Sequence, residues 1–434
     1  MAPVHMHTLA DLRAGKLAGL QRLDLACGLE TFPTEIFDLA DSLKVLNLSG
    51  NALSRLPDDF HRLHQLQVLF ASDNRFTELP ACLGRCPQLR MIGFKANRIE
   101  HVPAQALPPQ LRWLILTDNR IETLPEALGD CLSLQKLMLA GNRLTHLPQS
   151  LARCRHLELL RIASNQLRQL PEWLLELPAL AWLAHSGNPF SHRPAATPIR
   201  KIHWSQLEVR QRLGEGASGV IQQGVWHDGE VERPVAIKLY KGQLTSDGSP
   251  LDEMQACIKA GLHRHLITVQ GEVDQHPQAR RGLVMDLIDP AFANLAGPPS
   301  LASCTRDVYS PDMHLPLAAL RALASGTASV TAHLHAQGMT HGDLYGHNIL
   351  WQASGECLLG DFGAASFHPS SHAAERLERI ETRAFGILLS ELLERCPDSA
   401  TQPELHALAV RCLQDDVLAR PAMHEVARQL AGHD

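Results

Sequence analysis

The chain has 434 residues, 45% of them hydrophobic and 20% charged, with a formal net charge of −6. That length is too great for one ordinary core and predicts two or three globular domains. The slight acidity gives no electrostatic case for nucleic acid or an anionic membrane surface. No basic stretch precedes an apolar run near Met1, so no secretory leader is expected. Apolar runs such as Ile387–Leu389 are too short to span a bilayer. The ten cysteines include no CxxC pair, and Cys82 with Cys86 makes only a CxxxC, a weak metal signal without a second pair. Free thiols in a reducing cytoplasm are the expectation.

Thr8 followed by Asp11 reads as a capping-box-like start, so residues 8–18 are predicted to form a helix within an N-terminal cap, 1–19. A repeat then begins. Leu20, Leu43, Leu66, Leu89, Leu111, Leu134, Leu157 and Leu180 recur every 23 residues, with one step of 22. Each block reads roughly LxxLxLxxNxLxxLP. Asn stands at 51, 74, 97, 119, 142, 165 and 188, with Gly28 in the first block, and Pro follows at 33, 57, 80, 103, 125, 148 and 171. The LxL unit is a short strand with alternate residues inward. The Asn side chain can satisfy backbone groups where the chain turns, and Pro opens the return segment. One block cannot bury its leucines, but a stack of blocks can. Cys86, Cys131 and Cys154 share a repeat position taken by Leu63 and Leu177 elsewhere, which predicts core packing.

These blocks resemble the leucine-rich-repeat family over residues 20–190, as eight repeats. The resemblance implies a solenoid with parallel strands on its concave face. The variable strand positions Phe70, Met91, Trp113, Ile115 and Met138 are adjacent and apolar in the middle of that face, and Trp182 follows in the last block. Such a patch predicts a protein interface, either for another protein or for this chain's own second domain.

The repeat rule fails after Asn188. Pro189–Pro198 reads as a cap and linker, with the linker at 191–202. From Ile202 short strands and then helices follow, predicting a second domain over 203–434. Leu213-Gly-Glu-Gly-Ala-Ser-Gly-Val-Ile221 contains GxGxxG, a spacing that dinucleotide folds also use. Here it lies between two strand-like segments, where a glycine-rich hairpin can fold over nucleotide phosphates. Val235-Ala-Ile-Lys238 ends an apolar strand on a cation. Glu253, on the predicted helix DEMQACIKAGL, could pair with it. His341-Gly-Asp343-Leu-Tyr-Gly-His-Asn348-Ile-Leu350 is followed by Asp361-Phe-Gly363. An Asp, an Asn five residues on, and a second Asp supply a base and oxygen ligands for Mg²⁺, the parts that phosphoryl transfer needs.

This ordered set resembles the protein-kinase family over about residues 203–434. The resemblance implies a bilobal α+β domain that uses ATP and Mg²⁺, in a two-domain α/β chain. It implies that Leu213, Gly214, Gly216 and Gly219 cover ATP, and that Lys238 contacts its α- and β-phosphates, held by Glu253. Asp343 would accept the acceptor hydroxyl's proton, and Asn348 and Asp361 would hold Mg²⁺. Met285 would be the gatekeeper, Asp286–Ile288 the adenine hinge, and Ile221, Ala236 and Leu350 the adenine sandwich. Arg420 matches a late structural Arg.

The chain also departs from the family. Gly342 replaces the usual Arg, which implies activity without phosphorylation of the segment after Asp361. Tyr345 stands where Ser/Thr kinases have Lys, so acceptor chemistry stays open, with Ser/Thr favoured by base rate. The segment after Asp361 is short, Ala373-Ala-Glu375 is a poor stand-in for APE, and Glu381 replaces the Asp that opens the family's next helix. An active protein kinase is the first reading. The alternatives are a kinase-fold scaffold acting through the repeats and a small-molecule kinase of similar fold.

Overall fold

The computed structural model describes residues 7–191, 197–242, 244–368 and 371–432. The predicted linker lies partly outside these residues. By contact the chain divides into two compact units, Met1–Ala179 and Leu180–Asp434, so the eighth repeat's strand counts with the second unit.

In the first unit, Thr8 caps helix α1 (Leu9–Arg13), its side chain accepting from the Asp11 amide. The helix is shorter than predicted because Gly15 and Gly19 adopt left-handed φ of +69° and +78°, which end helices. Seven three-residue strands follow: β1 (Arg22–Asp24), β2 (Val45–Asn47), β3 (Val68–Phe70), β4 (Met91–Gly93), β5 (Trp113–Ile115), β6 (Lys136–Met138) and β7 (Leu159–Arg161). They pair in parallel and in register, Arg22 opposite Val45 through Lys136 opposite Leu159. The central residue of each strand, from Leu23 to Leu160, is fully buried. On the return path short 3-10 turns begin directly after Pro33, Pro80, Pro103, Pro125, Pro148 and Pro171.

The asparagines form the predicted ladder. Asn142 Nδ2 donates to Leu116 O and Leu139 O, each at 2.9 Å, while its Oδ1 accepts from the Ile121 amide at 3.0 Å. Asn74, Asn97, Asn119 and Asn165 repeat the pattern. Each side chain ties the strand ends of two neighbouring repeats, which buried backbone groups require. Cys86, Cys131 and Cys154 are buried. Burial pushes their thiols up to about 12, 12 and 11, so they pack as small apolar side chains. Among the described residues no group of three or more His, Cys, Asp or Glu could hold a metal ion.

The second unit opens on β8 (Trp182–Ala184). A sheet then forms from β9 (Lys201–His203), β10 (Leu207–Glu215), β11 (Gly219–Asp228), β12 (Val231–Tyr240), β13 (Val269–Asp274) and β14 (Gly282–Asp286). Its order is β10-β11-β12-β14-β13-β9; β9 joins β13 in parallel and the other pairs are antiparallel. Helix α2 (Pro250–Ala260) covers one face. The two-residue period of β12 divides its side chains. Val235, Ile237 and Leu239 enter one core cluster with Trp226 and Val284. Ala236 and Tyr240 enter the other, with Met254 and Ile258 of α2, and Lys238 has their parity.

The rest is mainly helical. It comprises β15 (Ala293–Asn294), α3 (Leu317–Ala336), β16 (Met339–Thr340), β17 (Ile349–Trp351), β18 (Cys357–Leu359), β19 (Ser366–Phe367), α4 (Ser371–Glu394), α5 (Pro403–Cys412) and α6 (Met423–Ala431). Small sheets β15-β17-β18 and β16-β19 frame the loop 341–348. No helix among the described residues is long and apolar enough to cross a membrane.

Candidate active site

The glycine-rich segment is a hairpin between antiparallel β10 and β11, with Gly214 opposite Ile221. The Gly216 amide donates to Gly219 O at 2.9 Å across its tip. A Cβ on Gly219 would lie 2.7 Å from Leu239 O, whereas one on Gly214 or Gly216 would meet nothing within 4 Å. Gly219 therefore serves the close approach of β11 to β12, and the other two leave the hairpin's surface bare. Leu213 beside them is exposed.

Lys238 and Glu253 form the expected ion pair, with side chains 14% and 1% exposed. Burial alone would lower the Lys238 ammonium, but the carboxylate beside it holds it above its ordinary value. Removing one member of such a pair leaves a buried charge alone. Ala236 is buried opposite Met285 in the β12–β14 register, and Ile221 packs against the same cluster. Asp286, at the end of β14, is exposed, Ile288 lies two residues on, and Leu350 on β17 is half-buried. The Asp286 amide donates to Thr268 O at 3.0 Å.

The loop 341–348 is tied down at several points. His341 donates from Nε2 to Gly360 O at 2.8 Å and accepts the Asp343 amide on Nδ1 at 3.3 Å. Its ring meets Phe362 edge-on, with centroids 5.1 Å apart. Asn348 Nδ2 donates to Asp343 Oδ2 at 2.8 Å and to Asp343 O at 2.9 Å. Asp361 is exposed while Phe362 is buried. Asp361 has φ of +49°, and its carboxylate accepts the Gly363 amide at 3.2 Å. Glu381 on α4 accepts the Gly342 amide at 2.7 Å and bonds His335 at 2.8 Å. Burial alone would raise this carboxyl, yet His335 holds it below its usual range.

Gly342 has φ of +72°, and a Cβ there would lie 2.5 Å from Ala364 O and 2.8 Å from Leu183 O. Any side chain at this position would clash with those carbonyls in this backbone conformation. Helix α4 starts at Ser371, so a short segment joins Phe362 to it. Arg420 is buried and donates to the carbonyls of Gln414 and Arg379 at 2.8 and 3.2 Å, while Glu375 pairs with Arg379.

The apolar strand positions differ from the exposed patch that was expected. Met91, Met138 and Trp182 are buried, and Phe70, Trp113 and Ile115 are half-buried. The Phe70 ring lies over Gly93, and the Lys136 ammonium sits 4.1 Å from the Trp113 ring centroid. Rings that fold over neighbouring strands leave less free surface than their residue types suggest. Two further contacts complete the site. Asp307 binds the His347 side chain at 2.7 Å and its amide at 3.0 Å, and Trp182 stacks on Tyr345. Asp307 belongs to no motif, whereas Trp182 lies on the repeat face for which this chain's own second domain was one expected partner.

The family described as protein tyrosine and serine/threonine kinase matches residues 207–383. The leucine-rich-repeat family matches residues 17–76, 87–144 and 132–190. A human protein-tyrosine kinase 6 is 29% identical over 233 residues, 47% of each chain. A probable leucine-rich repeat receptor-like protein kinase of Arabidopsis thaliana is 27% identical over 205 residues, 43% of this chain and 29% of its own. The chain spans less than two thirds of the length of these relatives.

Proposed function

We propose that this chain, in which leucine-rich repeats are followed by a protein kinase domain, transfers the ATP γ-phosphate to Ser or Thr hydroxyls of a protein bound with help from the repeats. The observation that carries the proposal is a set of two held pairs. Lys238 is paired to Glu253 and also feels the charge of Asp361, and Asp343 is held by Asn348. ATP would lie under the hairpin with its adenine between Ala236, Ile221 and Leu350, beside Met285, along 286–288. Lys238 would hold the α- and β-phosphates. Asp343 would orient the acceptor hydroxyl and take its proton, worth about 10²–10⁴ in rate for such a base.

Mg²⁺ fits the donors present. Both Asn348 bonds use Nδ2, which leaves its carbonyl oxygen available, and the exposed Asp361 adds a carboxylate. Two oxygen donors completed by phosphates suit this ion, which when bound would neutralise charge developing on the phosphates. Asn348, besides its ligand role, keeps the Asp343 carboxylate aimed.

The loop 341–350 contains neither Lys nor Arg, so the choice of Ser/Thr over Tyr rests on base rate alone. Acid hydrolysis of protein labelled by its own Mg-ATP reaction should yield phosphoserine or phosphothreonine. Phosphotyrosine as the sole product would overturn that acceptor assignment and leave the kinase reading standing.

A further inference from the structure

The two residues that flank Asp343 are both anchored through their backbones, and from different elements. On one side the Gly342 amide is taken by Glu381 of α4. On the other side Trp182 of β8 donates its indole N–H to the Leu344 carbonyl at 3.0 Å. The Trp182 ring then lies flat on Tyr345, with centroids 4.2 Å apart and 7° between planes. Both rings are almost fully buried, at 1% and 4% exposure. Beyond it lies His347, its ring tilted by 37° and 5.0 Å from Tyr345, which Asp307 fixes in turn. Two more residues of the same repeat join in. Leu183 O closes on Gly342, and the His185 amide donates to Ser366 Oγ at 2.9 Å, just past Asp361-Phe-Gly.

Trp182 holds a variable strand position, the one taken by Arg22, Val45, Val68, Met91, Trp113, Lys136 and Leu159 in the other repeats. The inward position of its own strand is Leu183. The solenoid's core therefore does not demand an indole here, whereas an aromatic pair with an N–H to a carbonyl is a directional contact. The segment that joins Phe362 to α4 is short, and β8 with His185 supplies contacts to the catalytic loop and to β19.

We propose that Trp182 is a positioning residue for Asp343, acting through Leu344 and Tyr345, so that the eighth repeat is a working part of the phosphotransfer site. The catalytic consequence rests on the kinase reading of Asp343; the anchoring itself does not.

The test uses the full chain as wild type, Trp182→Ala and Trp182→Phe, with two readouts. Hydrogen exchange of the amides in 342–348 should accelerate at least tenfold in Trp182→Ala, while exchange in β2–β6 stays unchanged. In Mg-ATP autophosphorylation, kcat should fall about tenfold with the KM for ATP within twofold. Trp182→Phe keeps a ring to stack but loses the indole N–H, so it should fall between the two; it also keeps the test alive if the Ala variant does not fold. Unchanged exchange in 342–348 in folded variants overturns the anchoring. Faster exchange with unchanged or increased kcat overturns the positioning role, an increase meaning that the repeat obstructs the acceptor instead. Wild-type protein that transfers no phosphate counts against the kinase reading, and amide exchange still decides the anchor.

Discussion

Single residues set the limits of this site. Gly342 combines a left-handed φ of +72° with carbonyls of Ala364 and Leu183 at 2.5 and 2.8 Å from any added Cβ. Gly342→Ala should therefore lower stability by at least about 2 kcal/mol, read from the denaturant midpoint; a change under about 0.5 kcal/mol would show that the loop has slack. From the sequence alone, the missing Arg implied activity without phosphorylation of the segment after Asp361. The packing shows that the missing side chain would have no space. His185 sets a second limit. It is fully buried, with no hydrogen-bond partner on either ring nitrogen among the described residues, and burial pushes it down to about 3; burial likewise pushes His368 down to about 4. Unfolded histidine takes its proton near pH 6.5, whereas these folded ones stay neutral. The stability they permit is therefore present above pH 6.5 and is lost as pH falls from there toward 4, by about 1.4 kcal/mol per unit for each. His185→Leu should flatten the fall in Tm between pH 6.5 and 4.5; an unaltered slope would refute this assignment.

At the scale of elements, the period-2 and 23-residue patterns were legible because each reflects a local rule that repeats. Inward leucines, turn asparagines and the prolines before the 3-10 turns all take their predicted places. The glycine hairpin was legible for a similar reason, since strand-like sequence on both sides excluded a helix after the glycines. Other features were not legible. The residue before each Asn adopts left-handed φ, and it is Gly50, Asp73, Ala96, Asp118, Gly141, Ser164 and Gly187 in turn. Chemically mixed residues hide a shared backbone state. Ala96 is the one with neither glycine's freedom nor a short polar side chain, and left-handed φ costs such a residue about 1–2 kcal/mol. Ala96→Gly should raise stability by about 1 kcal/mol in urea unfolding, and a loss would contradict the strain assigned to that turn. The added strand β9 and the Asp307–His347 bond were equally hidden, because pairing across distant segments depends on tertiary packing rather than local pattern.

For the whole molecule, the repeats and the kinase domain were both readable from motif order. The part each residue of the last repeat plays was not. Trp182 was placed on a binding face whose partner could be this chain's own second domain, and it stacks on Tyr345. The repeat pattern did not single out position 345, since contact between positions 182 and 345 is a property of the folded chain. The proposed ATP side keeps Lys238, Glu253, Asn348 and Asp361, while the proposed acceptor side has Gly342, Tyr345 and a short connecting segment. The most direct measurement of the central claim is Mg-ATP autophosphorylation of the whole chain, wild type beside Asp343→Ala at equal concentration. Transfer from wild type with a loss of at least a hundredfold in the variant is the predicted result. Equal labelling of both, or ATP binding without transfer in the wild type, would contradict it.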